Sequence, residues 1–348
     1  MGGGLRRLTL PSPSSIDSIA LAAAHPNLAL VKYWGNRDES LRLPQNGSLS
    51  ITLAGLHTVT RVRFNSELTA DRLDLQGRPA DPRALERVVR HLDLVRDLAG
   101  IRAAAEVTSA SDFPTGAGLA SSASAFAALS VAASQAGGLR LNPTELSRLA
   151  RRGSGSACRS IFGGFVEWTA GQDDQTSFAS SLAPPEHWPL ADVIAVVHPG
   201  EKAVGSSEGH RLAATSPEQA RRLEGAEARL DECRNAILAR DFPALAAIVE
   251  DESDLMHAVM ESSSPPLHYR RPESYALMSA VRAWRSAGSN VCYTLDAGPN
   301  VHCICPLAEA AEIEARLRRE RVVQRVITAG IGGGARLLEN DDPLTALL

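Results

Sequence analysis

The sequence predicts an α+β protein built as two lobes with a cleft between them. Strand-like segments come first and helical ones follow, without the regular βαβ alternation of a doubly wound sheet. The helical period dominates from residue 216 to 259, and the chain changes character near residue 190. Its 348 residues, 44% hydrophobic and 22% charged, suffice for one large or two ordinary domains with a real core. We expect a disordered tail at 1–18, a first lobe at 19–195 and a second lobe at 196–348.

Met1 to Ser18 is rich in Gly, Ser and Pro, and the apolar run Ile19–Ala24 is too short to span a membrane. Ala20 to Trp34 begins as a strand. Lys32 is the only charge in its apolar run, and buried lysine is rare unless paired or functional. A polar turn, Gly35-Asn36-Arg37-Asp38, closes the segment. Leu43 to Gly47 reads as a turn, and Ser48–Leu53 and Thr58–Phe64 alternate like antiparallel strands. Asp81-Pro82 opens an amphipathic helix reaching Ala99, with Leu85, Val88, Val89, Leu92 and Val95 on its apolar face. Ala103–Ser109 is a short strand.

That strand leads into Phe113-Pro114-Thr115-Gly116-Ala117-Gly118-Leu119-Ala120-Ser121-Ser122-Ala123, directly ahead of an Ala-rich helix to Ala136. Glycines let backbone approach a ligand closely, and a helix start presents unpaired N–H groups to an anion. Ser121 and Ser122 stand where hydroxyls reach a phosphate or Mg²⁺. A plain glycine turn with a serine N-cap has the same residues, and the loop is neither a Walker A nor a GxGxxG motif.

Asn142-Pro143-Thr144-Glu145 starts a further helix that ends at Arg152. It breaks into Gly153-Ser154-Gly155-Ser156-Ala157-Cys158-Arg159-Ser160, a Gly/Ser cluster with a cation, suited to an anionic substrate or to a flexible loop. Ile161–Thr169 and Asp192–His198 read as strands, and Pro199 to Gly209 as a polar loop carrying Lys202, Ser206 and Ser207. Two helices are expected within Ser216–Val259 and another over Pro272–Ala287. Strands Asn290–Leu295 and Val301–Cys305 flank Asp296-Ala297-Gly298-Pro299-Asn300. Ala308–Arg321 is a helix, Val322–Thr328 a strand, and Gly330–Gly334 a glycine turn.

The formal charge of −4 argues against a nucleic-acid binder. Lys32 and Lys202 are the only lysines, so a compact ammonium at Lys32 stands out. The five cysteines are scattered, and they fit a reducing cytoplasm rather than a disulfide framework. His302-Cys303-Ile304-Cys305 is no zinc site, because strand alternation puts His302 opposite both cysteines.

With these pieces in place, the sequence resembles the mevalonate diphosphate decarboxylase family of the GHMP kinase superfamily. The stretches that carry it are His25 to Gly35, Phe113 to Ala123, Gly153 to Ser160, Gly163-Gly164-Phe165-Val166-Glu167-Trp168 and Asp296 to Asn300. The resemblance implies a first lobe like ribosomal protein S5 domain 2 and a ferredoxin-like second lobe. It implies ATP and Mg²⁺ as cofactors, a homodimer, and a reaction in which a 5-phosphorylated mevalonate is phosphorylated on its C3 hydroxyl. Phosphate and CO₂ then leave. Asp296 matches the catalytic aspartate, with Lys32 beside the C3 oxygen and Arg159 on the carboxylate. Pro114, Gly116, Gly118, Leu119, Ser121 and Ser122 correspond to the ATP phosphate loop, with Ser122 at the metal. Asn27, Tyr33, Asn36, Ser154, Ser156, Ser206, Ser207 and His210 correspond to substrate contacts.

The family usually reads Lys-Tyr-Trp-Gly-Lys, its second lysine binding the diphosphate; here that position is Asn36. The loop at Ser206, Ser207 and His210 aligns with another phosphate region of the family, where some members place Arg and Met, and offers hydroxyls and a neutral imidazole instead. Fewer cations would suit 5-phosphomevalonate, with Arg37 a substitute charge. The alternatives are therefore a phosphomevalonate decarboxylase, a mevalonate 3-kinase that stops at the 3-phosphate, and a non-catalytic relative. The kinase would be expected to lack the Asp296, Lys32 and Arg159 set, and the non-catalytic relative to have an eroded glycine loop.

Overall fold

The computed structural model describes residues 17–114, 121–198, 200 and 204–348. Most of the expected tail, Gly116, Gly118, Leu119 and Lys202 lie outside the described residues.

The first sheet is built on Asp17–Ala24 and Thr58–Asn65, antiparallel along their whole lengths with Ala24 opposite Thr58. Ala104–Ser111 continues it antiparallel and Arg72–Leu75 lies parallel beyond. Alternation decides the faces: Val62 and Phe64 enter the core while Arg61 and Arg63 face outward. Helix Ser121–Ala136 covers the inner face. Its small residues allow close approach, and twelve of its sixteen are buried. Helix Pro82–Ala99 packs beside it, started by Asp81, whose side chain accepts from the N–H groups of Arg83 and Ala84. Helix Pro143–Gly153 begins with a capping box between Asn142 and Glu145.

A second antiparallel sheet runs Ala179–Ala183, Phe165–Trp168, Ser48–Thr52, Asn27–Val31. The third runs Cys292–Thr294, Val301–Pro306, Leu190–Val196, Arg325–Gly330. Helices Pro272–Ser286 and Ala310–Leu317 pack against one face of this last sheet. Its other face shares a core with the second sheet through helices Ala226–Ala239 and Phe242–Glu261, joining Leu28, Leu30 and Ile51 to Ile194, Ile304, Leu245 and Val249.

The structure goes beyond the sequence reading in four places. Leu190–Val196 is hydrogen-bonded only to strands of the second lobe, so the division falls before Leu190 rather than after Ala195. The stretch 216–259 forms three helices, because Gly225 interrupts the first at Glu224. Gly153–Ser160 is not a loose loop: Gly155–Ile161 is a 3₁₀ helix. Arg336–Leu338, not anticipated, returns to pair with Leu21–Ala23 of the first sheet. The turn at Gly330–Gly334 is structural. Ile331 bridges to Leu53, and a Cβ on Gly163 would lie 2.6 Å from the Gly333 backbone.

Among the described residues no helix is long and apolar enough to cross a membrane.

Candidate active site

A cavity of about 720 Å³ opens between the lobes. Strand Asn27–Val31 delivers Lys32 to its floor. The Lys32 backbone is fixed from behind: its N–H donates to Glu252 Oε2 at 2.9 Å, and its carbonyl accepts from Arg222 and Asn46. Its ammonium, 1% exposed, donates to the Ala29 carbonyl and to Asp296 Oδ1, both at 2.7 Å. Two of the three ammonium protons are thereby committed, which leaves one. Asp296 sits where the chain leaves strand Cys292–Thr294, so a strand end of the second lobe meets a strand end of the first.

Charge and burial oppose each other here. Burial would raise the Asp296 carboxyl, but the charges of Lys32, His302 and Arg159 outweigh it and hold it below the usual range. Burial pulls the Lys32 ammonium below its ordinary value despite the adjacent carboxylate.

Arg159, in the 3₁₀ helix, is 2% exposed. It donates through Nη1 to Ser48 Oγ at 2.6 Å, and through Nε and Nη2 to Asn27 Oδ1 at 3.3 and 3.1 Å. Two donors of the fork remain, on a side chain that lines the cavity. Asn27 in turn donates to the Ser156 carbonyl and to Ser160 Oγ. Gly155 is needed for close approach: a Cβ there would lie 2.6 Å from the Tyr33 ring. The cluster thus carries Ser154, Ser156 and Arg159 past an aromatic wall.

Ser121 and Ser122 start the buried helix at the cavity edge, and Ser122 Oγ is 3.2 Å from Ser154 Oγ. Ser206, Ser207 and His210 arrive from the second lobe on helix Ser206–Leu212. His210 stacks on Tyr33 with ring centroids 4.1 Å apart, and its Nδ1 accepts from the Gly35 N–H at 3.0 Å.

Of the sequence-derived residues, Asn27, Lys32, Tyr33, Ser121, Ser122, Ser154, Ser156, Arg159, Ser206, Ser207, His210 and Asp296 line this one cavity. Asn36 and Pro114 do not. The Asn36 amide is engaged by the Tyr33 hydroxyl and donates to Glu39 at 3.0 Å. Arg37 donates to the carbonyls of Ala170 and Gly171 and is not among the residues that line the cavity.

Sequence reasoning missed four cations. Arg42, Arg83, Arg87 and Arg211 line the cavity, and among the described residues none has a carboxylate within 4 Å. Most arginines of the chain are ordinary surface or structural residues, so type alone carried no signal. The position of Arg83 and Arg87, one turn apart at the start of helix Pro82–Ala99, was the only one available.

The donor set fits a nucleotide and its metal. Among the described residues no three His, Cys, Asp or Glu side chains are grouped to hold an ion. The lining offers hydroxyls, a helix start, guanidiniums and the carboxylates of Asp81, Glu208 and Asp296. Asp81 is occupied as a cap. Such a site suits Mg²⁺ that arrives on phosphate oxygens and keeps its waters.

Comparison with known proteins agrees over most of the chain. The family described as "Diphosphomevalonate decarboxylase-like N-terminal domain" matches residues 24–179, and "Mevalonate 5-diphosphate decarboxylase C-terminal domain" matches 192–334. Diphosphomevalonate decarboxylase mvd1 of Aspergillus fumigatus is 40% identical over 303 residues, 81% of this chain and 75% of that one. The Homo sapiens diphosphomevalonate decarboxylase is 35% identical over 379 residues, 92% and 94% of the two chains. The crystal structure of mevalonate diphosphate decarboxylase from Staphylococcus aureus superposes with a TM-score of 0.89 at 40% identity, covering 93% of this chain and 98% of that one. A structure described as MDDEF in complex with MVAPP, AMPPCP and magnesium gives 0.88 at 39%, covering 93% and 100%.

Proposed function

The chain belongs to the diphosphomevalonate decarboxylase family, and from that premise we propose how its cavity works and which substrate it takes. It is an ATP-dependent decarboxylase with the GHMP kinase fold, acting on a 5-phosphorylated mevalonate. Substrate and ATP become an isopentenyl phosphate ester, ADP, inorganic phosphate and CO₂.

The observation that carries the mechanism is the Lys32–Asp296 contact of 2.7 Å at the cavity floor. Phosphoryl transfer asks for positioning and charge neutralisation. Asp296, ionised and a quarter exposed, accepts the proton of the C3 hydroxyl as the oxygen attacks the γ-phosphate of ATP. Lys32 offers its third proton to that oxygen, lowering the cost of developing negative charge. Arg159 holds the C1 carboxylate through the donors that Ser48 and Asn27 leave over. Departure of the 3-phosphate leaves C3 electron-poor, and the C1–C2 bonding pair forms the double bond as CO₂ leaves. Ser121 and Ser122 take the ATP phosphates, and the family resemblance assigns Pro114, Gly116, Gly118 and Leu119 to the same phosphate loop. Ser122 would help hold a Mg²⁺ brought in on the ATP phosphates, which would supply charge neutralisation. Asn27, Tyr33, Ser154, Ser156, Ser206, Ser207 and His210 enclose the substrate, with Asn36 acting behind Tyr33.

We infer that the substrate is the 5-diphosphate. The relatives carry that name, and Arg42, Arg83 and Arg211 supply the positive charge whose loss at Asn36 pointed to the monophosphate. Five buried free thiols support a cytoplasmic enzyme, and the family resemblance supports a homodimer. Coupled release of ADP and CO₂ from (R)-5-diphosphomevalonate, (R)-5-phosphomevalonate and mevalonate tests the reading. Equimolar products with the highest kcat/KM for the diphosphate are expected; ADP without CO₂ on every substrate overturns it.

A further inference from the structure

Arg42 is in an unusual backbone conformation. With φ at +50° it is one of three non-glycine residues of positive φ among the described residues, a region that disfavours an arginine unless its surroundings hold it there. It sits at the tip of a short hairpin whose arms are Asn36–Asp38 and Leu43–Pro44, with Asn36 opposite Pro44. Among the described residues the half-buried side chain is anchored by one bond, Nε to the Arg152 carbonyl at 3.1 Å, which leaves both terminal nitrogens of the fork to the cavity. Ser154 follows that carbonyl by two residues. Burial raises the Tyr33 phenol above its usual pKa and the Arg42 charge pulls against it, so the two groups share one field. Asn36, on the other arm, contributes a neutral amide turned to Tyr33 and Glu39.

The geometry points to Arg42 as the residue that selects a substrate with a terminal diphosphate over one with a single phosphate, its guanidinium taking the outer phosphate from the hairpin arm facing Asn36. The assignment rests on the decarboxylase reading above. Two features favour the substrate rather than ATP as the anion: the anchoring carbonyl lies two residues from Ser154, a position that corresponds to a substrate contact, and the hairpin follows the same strand exit that delivers Lys32. A guanidinium fork matches a phosphate through paired donors, where an amide offers no charge.

The test compares kcat/KM for (R)-5-diphosphomevalonate and (R)-5-phosphomevalonate in the full-length protein, with ATP saturating. Arg42→Leu is expected to lower the diphosphate-to-monophosphate ratio ten- to hundredfold through KM for the diphosphate. Arg42→Lys should keep most of the ratio. Asn36→Lys placed on Arg42→Leu should restore part of it from the facing arm, and that restoration also answers a loss caused by misfolding. An unchanged ratio in Arg42→Leu, or a KM increase confined to ATP, overturns the assignment while leaving the decarboxylase intact. Absence of CO₂ from the wild-type protein with either substrate would instead remove the reading on which it rests.

Discussion

Lys32 and Asp296 hold each other in charge states that neither would keep alone at their depth. Asp296→Asn keeps the shape of the site and removes the proton acceptor, so kcat should fall by about 10²–10⁴-fold while ATP analogues still bind. The pH profile follows from the two directions of shift. Asp296 is ionised from below the usual aspartate range upward, so its acid limb in kcat/KM should lie under pH 3.8. Lys32 loses its proton below 10.5, so the alkaline limb should appear before that value. An alkaline limb at or above 10.5 would contradict the burial of the ammonium. On stability, the depressed Asp296 contributes above pH 3.8, and that contribution is lost as pH falls through its folded value. Lys32 was legible because a lone charge in an apolar run is conspicuous. Its partner was legible only as part of a turn, since 264 residues separate the two. Arg42 was silent, because backbone conformation and side-chain direction are not written in residue type.

Elements were readable where local rules decide them: Asp81 capping one helix, the Asn142–Glu145 box starting another, alternation along Thr58–Asn65. They were unreadable where the reason is tertiary. Glu252, on helix Phe242–Glu261, is 0% exposed and joins Arg222, Arg229 and the Lys32 N–H. Nothing in the helical period marks it as different from a solvated acid. Glu252→Gln leaves the buried Arg222 without its carboxylate, and denaturant unfolding should register a loss of about 3–5 kcal/mol. A loss under 1 kcal/mol would mean the clamp does not hold the Lys32 backbone. The sheet of the second lobe carries a related pair, His302 Nδ1 and Asp192 Oδ2 at 2.7 Å. Burial lowers the imidazole pKa, but Asp192 outweighs it and the net shift is upward. Its stabilisation is present below about pH 6.5 and is lost as pH rises through the folded value. Asp192→Asn should flatten that alkaline decline in a Tm-against-pH series; an unchanged slope would assign the decline elsewhere.

At the scale of the molecule, the two-lobed α+β class was legible from the order of strands and helices, and the lobe division was misplaced by a single strand. An apolar run such as Leu190–Val196 has no mark of which sheet will accept it. The lobes are not independent bodies, since one core runs from Leu28 and Ile51 through helix Phe242–Glu261 to Ile194 and Ile304. Thermal unfolding should therefore give one transition by both near- and far-ultraviolet signals. A non-hydrolysable ATP analogue at a hundred times its Kd should add about 2.7 kcal/mol to the whole. Two separated transitions would show that the shared core does not couple the lobes.

The return of Arg336–Leu338 to Leu21–Ala23 has a consequence for how the chain is made. During synthesis the strand at 17–24 leaves the ribosome with one edge bare, and its neighbour is about three hundred residues away. The lobe that carries the glycine loop cannot close its sheet until nearly all of the second lobe has emerged. In the interval that edge is open to pairing with other nascent chains. Premature termination before Arg336 would thus release a protein with every catalytic side chain present and a permanently exposed seam, prone to aggregate rather than merely to lose turnover.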